Sequence, residues 1–366
     1  MKETFSEYQP YEKEKIIGLW SKAHFVFDTN VILNLYRYSS NTSEMFINII
    51  SDLTDRIWLP YQVGLEFNKN RLGVISDQKK KYLAFNKDIE NLIKEVENKN
   101  KNPFFSQPLT EKIISIRIEI YEEVQRITEK YDKFFTTDPL LEKINSIFEN
   151  KVGEEYSEEK MLEINKDGEK RYKNKIPPGY CDDNKPQNEK FGDLILWNQI
   201  IDRAVSTKND VIFILDDRKE DWWLESQGKT ISPRPELLKE FKTKTSRHIH
   251  FYKPDQFLEH SNTYLKKTVQ RQTIEEVKNY IDDEPPNNFF LKIEFVLQGT
   301  LIDFNKLYSE MKSAGYNVSS ETDETTKLHH LNVILPNIPD LERRLHSRYI
   351  SDLDSYSLTL VGIKKL

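Results

Sequence analysis

Four carboxylic acids stand where apolar segments end. The run His24-Phe25-Val26-Phe27 stops at Asp28, with Thr29 and Asn30 behind it. A second run, Val211 to Leu215, stops at Asp216 and Asp217. Between them lie Glu66, in Val63-Gly64-Leu65-Glu66-Phe67, and Asp193, in Phe191-Gly192-Asp193-Leu194. Such neighbours imply burial, and a buried carboxylate is costly unless a positive charge pairs with it. A divalent cation is the simplest partner. Mg²⁺ or Mn²⁺ suits an all-oxygen set, and its usual work is phosphate chemistry. Asp221, four residues past Asp217, is a further candidate ligand. Arg71, Arg218 and Lys219 are candidates for touching substrate phosphates.

Each acid also has a plainer role. Asp28 and Asp193 can cap or open the helices that follow them. Glu66 can be a solvated helix residue, and Asp216 a loop or capping acid. The ordered set outweighs the single readings. Trp222 and Trp223 read first as packing beside a buried strand, and only second as platforms for bases. No His/Cys spacing suits zinc. A haloacid-dehalogenase phosphatase needs Asp two residues after Asp28, where Asn30 stands.

The elements that must position these acids alternate. Residues 1–20 read as a leading helix and 24–28 as a buried strand. Helices follow from Asn30, from Met45 and from about Tyr61. The short strand Ile57-Trp58-Leu59 closes at Pro60. Residues 211–215 and 249–252 are further strands. This alternation predicts an α/β domain with a parallel sheet, whose ligands bind at the carboxyl ends of the strands. Residues 77–175 repeat apolar positions at steps of three and four among Lys and Glu. They predict a helical hairpin broken near Asn102-Pro103. After the polar segment Asp282 to Asn288, residues 289–366 predict a small α+β ferredoxin-like βαββαβ domain, including a helix over 339–349.

Val26-Phe27-Asp28-Thr29-Asn30, with Glu66, Gly192-Asp193-Leu194-Ile195-Leu196-Trp197 and Asp216-Asp217-Arg218-Lys219-Glu220-Asp221-Trp222-Trp223, resembles the PIN-domain nuclease superfamily. The segment Ile176-Pro177-Pro178-Gly179-Tyr180 adds to the likeness with its long bacterial PIN-like group. The resemblance covers roughly residues 20–260. It implies a PIN-like nuclease domain over 1–76 and 176–265 around a helical insertion over 77–175; the sequence pattern adds a linker over 266–288 and the terminal domain over 289–366. It implies hydrolysis of RNA phosphodiesters with Mg²⁺ or Mn²⁺. Asp28, Glu66, Asp193 and Asp217 would be the catalytic metal ligands, Asp221 an added one, and Thr29 and Asn30 would orient Asp28. A toxin or antiphage effector is the implied setting. The alternatives are a structure-specific DNA nuclease and an inactive PIN-like binding or regulatory protein.

Composition bounds the rest. The 366 residues carry a net charge of −6 and a single cysteine, Cys181. A global basic footprint for nucleic acid is absent. No apolar run suits a membrane span or a signal peptide, and one cysteine fits a reducing cytoplasm. The resemblance implies RNA as the partner, with DNA the alternative, and the composition adds that no membrane is expected. The terminal domain lacks a phosphate loop and is nearly neutral. Self-association or docking of a regulatory protein suits it as well as RNA does.

Overall fold

The structure is a computed structural model. It describes residues 1, 4–98, 105–187, 189–227, 229–280, 290–298, 300–313, 317–323, 328–336 and 359–365. These divide into two compact units, Met1–Tyr280 and Ile281–Leu366.

In the first unit, helix α1 (Lys13–Lys22) leads into strand β1 (His24–Phe27). Then come α2 (Thr29–Leu33), α3 (Ser40–Asp52), α4 (Tyr61–Glu97), α5 (Gln107–Lys133), α6 (Pro139–Phe148) and α7 (Glu158–Lys173). Helix α8 (Gly192–Thr207) precedes β2 (Val211–Ile214) and a hairpin of β3 (Trp223–Ser226) and β4 (Lys229–Pro233). Helix α9 (Pro235–Thr245), strand β5 (Ile249–Tyr252), α10 (Pro254–Tyr264) and α11 (Arg271–Asn279) complete the unit. The predicted leading helix over 1–20 is thus α1, with only a 3-10 turn at Ser6–Tyr8 ahead of it.

Strands β1, β2 and β5 form a parallel sheet in the order β1-β2-β5. Helices cover both of its faces, so the strands are apolar on both sides rather than alternating. Phe25, Phe27 and all of β2 are buried. The predicted strand at Ile57-Trp58-Leu59 contributes only isolated parallel bridges, Phe25 to Ile57 and Leu59 to Val152. Aromatic rings tie the layers together. Trp20 stacks on Phe257 at 5.8 Å, and Trp197 meets Trp222 edge-on at 6.2 Å. Trp222 and Trp223 are both buried, so they are packing and not base platforms. Among the described residues no helix is long and apolar enough to cross a membrane.

Two boundaries differ from those read in the sequence. Helix α4 is continuous for 37 residues, so the expected division at 76/77 falls inside one helix. The helical insertion is the outward extension of the helix that carries Glu66, and its expected break at Asn102-Pro103 lies outside the described residues. Much of the expected linker is structured: α11 buries Val277 and belongs to the first unit. Hairpin β3–β4 was hidden by Lys, Glu and Ser on its exposed faces.

The second unit holds β6 (Phe290–Gln298), α12 (Leu301–Ser313), β7 (Asn317–Asp323), β8 (Leu328–Pro336) and β9 (Thr359–Lys365). Its sheet is antiparallel in the order β7-β8-β6-β9. The helix expected over 339–349 lies outside the described residues.

Arg71 is not a free phosphate contact. Its guanidinium pairs with Asp138 at 2.6 Å, and both side chains are largely buried. Asp138 also accepts from Tyr36 Oη at 2.7 Å and from the backbone N–H of Leu140 and Leu141, capping α6. This knot fixes α6 against α4. Arg71→Met should lower the free energy of unfolding by about 1–3 kcal/mol, the scale of a lost charge-assisted hydrogen bond. Urea unfolding measures it, and an unchanged midpoint would contradict the assignment.

Candidate active site

The ladder of the sheet delivers Asp28. Its N–H donates to Ile214 O at 2.9 Å, the next rung after the Phe27–Ile214 pairing. Asp28 then caps α2, accepting from Asn30 N at 3.3 Å. Capping and clustering coexist here. The Asp28 carboxyl is 7% exposed and faces Asp193, Asp217 and Glu66. Burial, and then the charges of those three acids, push it well above the usual carboxylate range, which the Thr29 N–H offsets only in part.

Glu66 comes from the second turn of α4. Thr29 Oγ1 and Gln62 Nε2 each donate to it at 2.7 Å. The Thr29 hydroxyl therefore orients Glu66, while its N–H and that of Asn30 serve Asp28. A Cβ on Gly192 would stand 2.7 Å from Glu66 Oε1. Glycine at the start of α8 thus lets the carboxylate approach a helix N-terminus, where the exposed N–H groups favour negative charge.

Asp193 lies in the first turn of α8, two residues past the N-cap, which is Phe191. It accepts from Trp222 Nε1 at 3.3 Å. Burial raises its carboxyl to about 7. Lys219 opposes the shift, and Asp217, Asp182 and Asp221 add to it. Asp217 follows β2 and accepts from Lys219 N at 2.7 Å. Asp221 is fully buried, takes the Cys181 N–H on Oδ2 at 3.0 Å, and leaves Oδ1 with no partner. Asp216 turns aside to the Asn34 amide.

Lys219 occupies the middle. Its ammonium lies 3.0 Å from Asp182, 3.2 Å from Asp217 and 3.5 Å from Asp193. Burial alone would lower its pKa, but these acids outweigh it and push it upward. The sequence reading gave Lys219 to substrate; the structure gives it to the acids. Arg218 reaches out to Tyr280 O at 3.5 Å, away from them. Asp182 was missed. Its only sequence signal is the acidic loop after Pro177-Pro178-Gly179, where Gly179 adopts φ +90° beneath Tyr172 and Asp193.

Among the described residues, no three His, Cys, Asp or Glu side chains already stand as a metal-holding set. The donor chemistry nevertheless suits a hard cation. The carboxylates of Asp28, Glu66, Asp182, Asp193, Asp217 and Asp221 answer to the ammoniums of Lys219 and Lys185 alone among the ion pairs found here. The orphaned Oδ1 of Asp221 is an oxygen donor left over inside the cluster.

An α/β protein with a cluster of acids at the carboxyl ends of its parallel strands is the class these features define. A family model described as "PIN like domain" matches residues 24–237, more than half of the chain. The chain belongs to this PIN-like family, whose domains are generally nucleases. No curated protein and no solved structure matches it.

The raised carboxyls make stability depend on pH. The native state holds protons that the unfolded chain has already released. The contribution of these two carboxyls to stability should therefore be greatest below the usual carboxylate range and be lost as pH rises toward about 7, the Asp193 value. In EDTA the melting temperature should drop across that window. Asp193→Asn should flatten the drop, and added Mg²⁺ or Mn²⁺ should offset it. A melting temperature indifferent to pH in EDTA would contradict the coupled cluster.

Proposed function

We propose that the chain is a metal-dependent endoribonuclease that hydrolyses RNA phosphodiester bonds, using Mg²⁺ or Mn²⁺. One observation supports this above the rest. Carboxylates from four separate segments converge with fewer cations than charges at the strand ends. Asp28, Glu66, Asp193, Asp217 and Asp221 would hold the cation. A bound divalent cation would supply Lewis-acid stabilisation of the charge that develops on the phosphodiester.

The chain's own residues prepare for that. Asp28 is fixed by the sheet ladder and by the start of α2. Glu66 is held by two donors in a single orientation. The Trp222 indole pins Asp193, and Trp197 packs on Trp222 to keep that wall dry. Lys219 keeps Asp182, Asp193 and Asp217 close against their mutual repulsion. Pre-set groups of this kind need little rearrangement when the reaction proceeds.

In the proposed setting, a toxin or antiphage effector, expression would arrest growth and the silenced variant would not. The direct test is cleavage of unstructured RNA and DNA strands in Mg²⁺, Mn²⁺ or EDTA. RNA should be cut only with metal. Asp28→Asn keeps the volume and removes the charge, so the rate should fall on the order of 10³-fold with the melting curve still cooperative. Cleavage that persists in EDTA or in Asp28→Asn would overturn the proposal.

A further inference from the structure

The order β1-β2-β5 leaves β5 at one end of the parallel sheet. Along its outer edge runs a recess of about 960 Å³, walled by the N-terminal segment, hairpin β3–β4 and α9. Its charged lining is one-sided. Lys13, Lys239, Lys242, Arg247 and Lys253 face it, against Glu7 alone. The whole chain carries −6, so this surface has the opposite sign from its surroundings. A solvated face usually mixes both signs along its length.

Two of these cations are only loosely engaged. Lys239 stands 4.0 Å from Glu7, and Lys242 lies 3.3 Å from a His248 ring nitrogen. Both lysines are exposed, and long contacts from exposed ammoniums are weak. Tyr8 lines the same recess and is 63% exposed, an aromatic face open to a base. None of the acids lines the recess, but its wall reaches the backbone of the loop that carries Asp217. Lys253 lies over the Trp223 ring at 5.5 Å, and the Trp223 indole donates to Asp217 O at 2.6 Å. One side chain separates the basic lining from the acidic loop.

We propose that this groove is the track on which a single strand of RNA is held beside the acidic cluster, its phosphates on the lysines and Arg247. The inference rests on the nuclease reading and names where that substrate lies. It also answers the absence of a global basic footprint: the positive charge is concentrated on one edge.

The test uses the full chain silenced by Asp28→Asn and a fluorescein-labelled unstructured RNA, with anisotropy titrations at several salt concentrations. The comparison is the same chain with Lys239→Glu, Lys242→Glu and Arg247→Glu. Affinity at low salt should fall at least tenfold. The slope of log affinity against log salt should shrink by about 2, at ~0.7 for each lost phosphate contact on a single strand. Should the triple variant fail to fold, Lys239→Gln with Lys242→Gln, both exposed, should still remove about 1.4 of the slope. Unchanged affinity and slope in a folded variant would overturn the groove while leaving the nuclease reading in place. No RNA binding by the parent Asp28→Asn chain would overturn both. Tighter binding of a DNA strand of the same sequence would overturn RNA as the occupant.

Discussion

Electrostatic repulsion among enclosed carboxylates is the constraint around which the first unit is built. Left alone, Asp28, Glu66, Asp193 and Asp217 would drive their segments apart. The chain opposes this with apolar burial and with the Lys219 ammonium. Each backbone bearing an acid is anchored on its apolar side: β1 in the sheet, α4 through Phe67, α8 through Leu194 and Trp197, and the loop after β2 through Trp222 and Trp223. The site is the seam where those anchored pieces meet.

This arrangement spreads the site along the chain. Only two short segments hold two of its acids each, Asp182 to Asp193 and Asp217 to Asp221. The remainder depend on the parallel pairing of β1 with β2 and on the packing of α4 with α8. A change in the sheet core therefore reaches the acids as a change in their spacing, even with every carboxylate intact.

Much of this could be read from the sequence because burial leaves a clear pattern. Short apolar runs ending in Asp marked β1 and β2, and parallel strands put those ends on one side. Glu66 and Asp193 were legible through their apolar neighbours. Asp182 was not, because a loop acid among other polar residues carries no periodic signal, and only its contact with Lys219 singles it out. Arg71 and Lys219 show the opposite difficulty. A basic residue near a motif looks the same whether it serves a phosphate or a carboxylate of its own chain, and only the fold supplies Asp138 or Asp217 as the partner. The length of α4 was obscured because its solvent-facing Lys and Glu look alike on either side of residue 76.

Helix α4 carries Glu66 near one end and runs on to Glu97, so it is a rod with one foot in the acidic cluster. At 1.5 Å per residue the stretch beyond Glu66 is roughly 45 Å long. A rod of that length is a lever. A small sideways push at its far end is felt at its root as a tilt, and the Thr29 and Gln62 contacts of Glu66 leave that tilt little slack. The geometry of a half-buried carboxylate is thereby mechanically joined to a surface far from it.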